Sequence, residues 1–142
     1  MKTAAIAALI VALSAPVSAH GTTIEPARLT LTFETTAQTG AIMVSLFDSA
    51  EAYSGGAPVR QARVNVAKGE RTAVFAGLPS GAYAVRAFHD VNGDERLTTN
   101  PFGRPIEPFA FSNNARGNMG PAGWEAAQVV VKGAAIQTIR FD

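Results

Sequence analysis

Cysteine is absent from the sequence. That removes disulfides, thiolate metal sites and a cysteine nucleophile from consideration. Histidine occurs only 2 times, too few for a three-histidine zinc site within one copy. Charge of one sign is not in excess, so nucleic acid and anionic lipid are poor main partners, because both favour a basic stripe. No Gly-rich phosphate loop sits between a strand and a helix, and Ser112 precedes Asn113 rather than the glycine of a nucleophile elbow. Adjacent acids such as Asp94 and Glu95 read as a solvated face, not a general acid and base. A non-enzymatic protein is the expectation.

What is present begins with MKTAAIAALIVALSAPVSAH. A Lys precedes an apolar run from Ala4 to Leu13, and Val17 and Ala19 fit the small-residue rule for signal-peptide cleavage. The run is too short to cross a bilayer core of ~30 Å. Residues 1–19 are therefore expected to be a signal peptide and residues 20–142 one exported domain, periplasmic or extracellular. Removing the leader takes Lys2 from the 12 basic residues, leaving them balanced against 11 acidic ones. No later segment approaches membrane-spanning length, and no internal repeat is visible.

The rest of the chain alternates with period two. In RLTLTFE, Leu29, Leu31 and Phe33 share one face; in AIMVSLFD, Ile42, Val44 and Leu46 do. VRQARVNVA, RTAVFAGLP, AYAVRAFHD, AAQVVVK and AIQTIRF follow, separated by turn residues such as Pro79-Ser80-Gly81 and Gly133. Between the second and third strands, SAEAYSGGAP breaks the period and admits a helical turn around Glu51. About seven short strands predict an all-β domain, a single antiparallel sandwich of Ig-like or transthyretin-like kind, with an eight-stranded barrel as the competing arrangement. FAGLPSGAYAV resembles the turn and strand of transthyretin-like and collagen-adhesin B-type sandwiches.

The exception is the segment from His89 to Trp124, an irregular connection of unusual length. Phe102, Phe109, Phe111 and Trp124 make it costly to leave in water, at ~1.5–3 kcal/mol for each large apolar side chain. Pro101, Pro105, Pro108 and Pro121 stiffen it. It is expected to be one long ordered loop, a lid packed across the strands. One reading is simple capping of the core and an edge strand. The other is a binding surface for a small ligand or an envelope protein, with Arg104, Glu107, Asn113, Asn114 and Arg116 as its polar groups.

Inside it, DVNGDERLT places oxygen-bearing side chains at alternate positions: Asp90, Asn92, Asp94 and Thr98, with the Arg96 carbonyl between. A hard cation such as Ca²⁺ needs several oxygens at ~2.3–2.6 Å. The spacing resembles the first half of an EF-hand or dockerin loop. Glu95 stands where that loop has glycine, and Pro101 where a bidentate acid belongs, so Glu107 or Glu125 would have to supply the missing carboxylate. Asx turns to nearby backbone N–H groups are the alternative. His89 shares the parity of Tyr83, Val85 and Ala87, which points it toward the core at the strand's end. His20 would become the mature N-terminus, and its amine and ring could form a copper site with His89, as in small periplasmic copper-binding sandwiches and copper oxygenases.

The run GLPSGAYAVRAFHDVNGDERLTTNPFGRPIEPFAFSNNARGNMGPAGWEAA resembles the core signature of a bacterial secreted family, domain-of-unknown-function family 2141. The matching positions are Leu78, Pro79, Gly81, Tyr83 and Ala84; then His89, Asp90, Asn92 and Asp94. Gly103, Pro105 and Glu107 follow, then Phe111, Ser112, Asn113 and Asn114, and finally Gly120, Pro121, Trp124 and Glu125. The chain departs from the pattern in two places: at Thr98, where relatives often carry an acid, and at Pro108-Phe109-Ala110-Phe111, where Gly-Tyr-Gly-Phe is commoner. The resemblance implies an exported sandwich with no established activity. His89, Ser112 and Trp124 join the candidate ligand-binding residues.

Overall fold

In the computed structural model, residues 26–141 are described, and they form eight strands with two short helices and two 3₁₀ turns. The expected signal peptide and His20 lie outside the described residues. The strands are β1 (Ala27–Glu34), β2 (Ala41–Phe47), β3 (Arg60–Asn65), β4 (Thr72–Leu78), β5 (Gly81–Asp90), β6 (Phe109–Phe111), β7 (Val129–Val131) and β8 (Ala134–Arg140). They make two sheets, one ordered β4-β1-β8 and one ordered β3-β2-β5-β6, with β7 also pairing β5. The chain is mostly β, as its alternation predicts.

Period-two patterning decides which face is covered. Leu29, Leu31 and Phe33 of β1 share one buried cluster with Ile42, Val44 and Leu46 of β2 and Tyr83, Val85 and Ala87 of β5, so both sheets contribute to one core. Burying each such large side chain is worth ~1.5–3 kcal/mol. The Pro79-Ser80-Gly81 turn is fixed by the Tyr83 hydroxyl, which donates to the Pro79 carbonyl at 2.7 Å.

Antiparallel pairing was expected throughout. It holds for the strand pairs among the described residues except one: β1 and β8 run parallel, from Arg28 opposite Ala134 to Glu34 opposite Arg140. Residue alternation cannot reveal direction, since parallel and antiparallel partners present the same alternating faces.

A second, smaller core lies on the other face of β5. Phe47, Tyr53, Ala84, Phe111, Ala122 and Ala127 bury one another there, with Trp124 packed against them. The helices α1 (Ala50–Gly55) and α2 (Trp124–Ala127) cover it. The turn expected near Glu51 is α1, and Ser49 caps it by accepting from the Ala52 N–H at 3.1 Å. Tyr53 and Trp124 meet edge to face at 5.9 Å, and the Tyr53 hydroxyl donates to the Ala122 carbonyl at 2.9 Å. Arg86 places its guanidinium 4.2 Å from the Tyr53 ring centroid and 5.6 Å from that of Phe47, which offsets the cost of burying its charge.

Candidate functional site

The excursion after β5 starts beside the connection between β1 and β2. Gly40 (φ 76°) ends the β1–β2 connection, and any side chain there would collide with the Asp90 carbonyl. His89 lies under this turn, 1 % exposed. Its Nε2 donates to the Thr39 carbonyl at 2.7 Å, and the Phe141 ring lies 6.2 Å from it, edge on. Parity predicts that inward position. The ring therefore offers only Nδ1, which has no hydrogen-bond partner among the described residues.

Asp90 is also 1 % exposed. Its Oδ1 accepts the Gly93 N–H at 2.8 Å and its Oδ2 the Glu95 N–H at 3.0 Å. Asn92 accepts from the Asp94 N–H at 3.1 Å, and Asp94 from the Arg96 N–H at 2.9 Å; both side chains stand at the surface. The Asn92 amide donates to the Thr98 hydroxyl at 3.2 Å. Glu95 takes φ 60°, so the curl that a calcium loop makes with glycine forms here without one.

Glu107 returns from later in the chain to close this loop. It is 7 % exposed, and its oxygens accept the Val91 N–H at 3.1 Å and the Thr98 N–H at 2.9 Å. Two buried carboxylates thus take up four backbone N–H groups. Charge-assisted bonds of this kind are roughly twice as strong as neutral ones, which explains how so polar a stretch keeps one shape.

The second half of the excursion is bound to the sheets. β6 and β7 pair with different parts of β5, at Arg86–Phe88 and Gly81–Tyr83. Ser112 fills the gap between them. Its Oγ accepts the Val85 N–H at 2.8 Å and donates to the Ala127 carbonyl, in a place with 0 % exposure. Asn113 and Asn114 take φ 59° and 50°, a left-handed region that asparagine tolerates best after glycine. The Asn113 amide donates to the Gln128 carbonyl at 2.7 Å, and its oxygen accepts from Gln137 at 2.7 Å. Asn114 donates to the Thr138 carbonyl at 3.0 Å and accepts the Arg140 N–H at 2.8 Å. Its amide serves β8 as a partner strand would.

The lid does not bury all of its aromatics, contrary to expectation. Phe111 is buried and Trp124 half-buried, but Phe102 is 89 % exposed and Phe109 44 %. Phe102 rides the tip of a turn in which Asn100 Oδ1 accepts the Phe102 and Arg104 N–H groups, and the turn aims it outward. Ile106 and Met119 are exposed too. A cleft of about 650 Å³ opens here, lined by Ile106, Phe109, Phe111, Asn114, Arg116 and Arg140 among others.

Of the residues expected to bind a ligand, Glu107, Asn114 and Arg116 line this cleft. His89 and Ser112 are buried and Trp124 packs half-buried on the smaller core, Asn113 joins Gln128, just before β7, to Gln137 of β8, and Arg104 stands exposed in the Asn100 turn. Asp90, Asn92, Asp94, Arg96 and Thr98 come together as one hydrogen-bonded loop. Among the described residues, no three His, Cys, Asp or Glu side chains gather closely enough to hold a metal ion. Arg140 was not foreseen; its place beside the lid depends on the β1–β8 pairing, which has no local signature.

The molecule is thus a two-sheet domain carrying one ordered, partly apolar excursion with a cleft at its side. Residues 33–139 match the family model described as an uncharacterized protein conserved in bacteria, DUF2141, and the chain belongs to that family. No curated protein and no solved structure matches it. No helix among the described residues is long and apolar enough to cross a membrane.

Proposed function

We propose that this is an exported β-sandwich that acts as a non-catalytic binding module, taking a small ligand or an envelope partner on its 89–124 excursion. The observation that carries the reading is the cleft of about 650 Å³ flanked by exposed Ile106 and Phe109. Apolar side chains left in water beside a concave surface mark interaction sites, and the volume falls within the ~300–1,000 Å³ of small-molecule pockets. A capping element alone would turn those side chains inward. The test is a fragment screen by amide NMR on the ¹⁵N-labelled protein. Hits should shift the amides of residues 106–117, and hits confined to β4, or none, overturn the reading in favour of a structural envelope module.

A weak Ca²⁺ site in the Asp90 loop is the second reading. Two observations favour it: Glu95 adopts the left-handed turn a calcium loop requires, and Glu107 comes back to the loop as the missing carboxylate would. Affinity would fall in the extracellular range of ~10⁻⁴–10⁻³ M. Millimolar Ca²⁺ should then raise the melting temperature by a few degrees and EDTA reverse it. An unchanged melting curve leaves the turn bonds as the whole explanation. The copper alternative retains only Nδ1 of His89 and depends on His20; N-terminal sequencing that finds another mature start ends it.

A further inference from the structure

The Asp90 loop contains a chemically reactive pair that its own hydrogen bonds restrain. Asparagine occurs at residues 65, 92, 100, 113, 114 and 118, and only Asn92 is followed by glycine. Glycine has no side chain to hinder its own nitrogen from approaching the preceding side-chain amide. The turn demands that neighbour, because Gly93 takes φ 79°, where a side chain would be strained. Both residues are exposed, so water reaches them.

Three bonds fix the reacting atoms. The Gly93 N–H donates to Asp90 Oδ1 at 2.8 Å. The Asn92 amide is tied at both ends: its oxygen accepts the Asp94 N–H at 3.1 Å, and its nitrogen donates to the Thr98 hydroxyl at 3.2 Å. Asp90 is buried, and Glu107 holds the Val91 and Thr98 N–H groups on either side of the pair. A carboxylate beside the Gly93 nitrogen also disfavours loss of its proton, since two negative charges would then adjoin.

We propose that Asn92 is a deamidation site, kept latent by Asp90 and Glu107 for as long as the loop stays closed. On opening, the Gly93 nitrogen gives its proton to water and bonds to the side-chain carbonyl carbon of Asn92. The C–N bond of the side-chain amide then breaks, and ammonia leaves with a proton returned from water. Water next opens the succinimide at one of its two carbonyls, which yields aspartate or isoaspartate; nothing is oxidised or reduced. Either product lacks the amide that donates to Thr98. Isoaspartate also lengthens the backbone by a methylene, so a brief opening leaves a permanent mark.

Tryptic cleavage after Arg86 and Arg96 releases residues 87–96, in which Asn92 is the only asparagine. Mass spectrometry and an isoaspartate assay on that peptide read the conversion after incubation at mildly alkaline pH. The native protein should convert about tenfold more slowly than synthetic peptide 87–96, because the reaction waits for local opening. Glu107→Gln should speed it several-fold while the melting curve stays close to the parent's, and Asp90→Ala should speed it further. Asn118, exposed but followed by Met119, should stay unconverted over the same period. A native rate equal to or above the peptide's overturns the proposal, as does the parent's rate persisting in both variants. An unreactive peptide removes the site altogether.

Discussion

The two halves of the 89–124 excursion are held in opposite ways. From Asp90 to Glu107 the backbone curls around carboxylates, and nearly every bond stays within the excursion itself. From Phe109 to Trp124 the bonds go outward, to β5, to Gln128 just before β7 and to β8, through one hydroxyl and two amides. The first half is a self-supporting loop set on the domain, whereas the second half is part of the sheets' edges. Damage to the second half should therefore reach the whole fold, and damage to the first should stay local.

The largest effect is expected at Ser112. Ser112→Ala orphans a buried N–H and a buried carbonyl, each costing ~1–3 kcal/mol; urea denaturation should show a loss of about 2–4 kcal/mol. A loss below that of any surface variant would break the comparison. Asn114→Ala comes next. It removes two rungs from the β8 edge and puts alanine at φ 50°, and the midpoint should report about 1–2 kcal/mol. Asn114→Gly should recover part of this, because glycine relieves the backbone term alone.

Glu107→Gln should barely move the midpoint. One N–H of the pair at Val91 and Thr98 would instead face an amide NH₂, so hydrogen exchange should quicken at those two amides while β1 stays protected. Global unfolding would show that the first half is as integral as the second. The smallest effect concerns Tyr53, whose hydroxyl anchors Ala122. Burial raises its pKa above the ordinary 10.0, opposed in part by Arg86. The fold therefore favours the neutral phenol. That contribution is complete below pH 10 and fades as pH rises through the folded value, so ultraviolet titration should find Tyr53 ionising above a free tyrosine, together with the onset of alkaline unfolding.

Much of this was legible in the residue order. Leu29-Leu31-Phe33 and Tyr83-Val85-Ala87 declare their faces by alternation alone, and His89 follows by parity. The Asp90 loop was legible as chemistry, since Asx spacing speaks to the nearest backbone N–H groups. What stayed hidden depends on distant partners. β6 is three residues after Pro108, too short to show a period, and α2 is four residues long. The Ser112 and Asn114 bonds span 15 to 27 residues, and no local pattern encodes such a separation. The exposure of Phe102 was misjudged because hydrophobicity says that a side chain gains from burial, not that a turn will let it reach cover.

The parallel pairing of β1 with β8 carries a further consequence. Among the described residues, β1 sits in the middle of its sheet, and one of its two neighbours is supplied by residues 134–140. Until those residues arrive, Leu29, Leu31 and Phe33 belong to a strand with an open flank, and Ile139 is missing from the interior. Deleting residues 134–140 should cost far more than their number suggests, because β8 clasps β1 along one whole side.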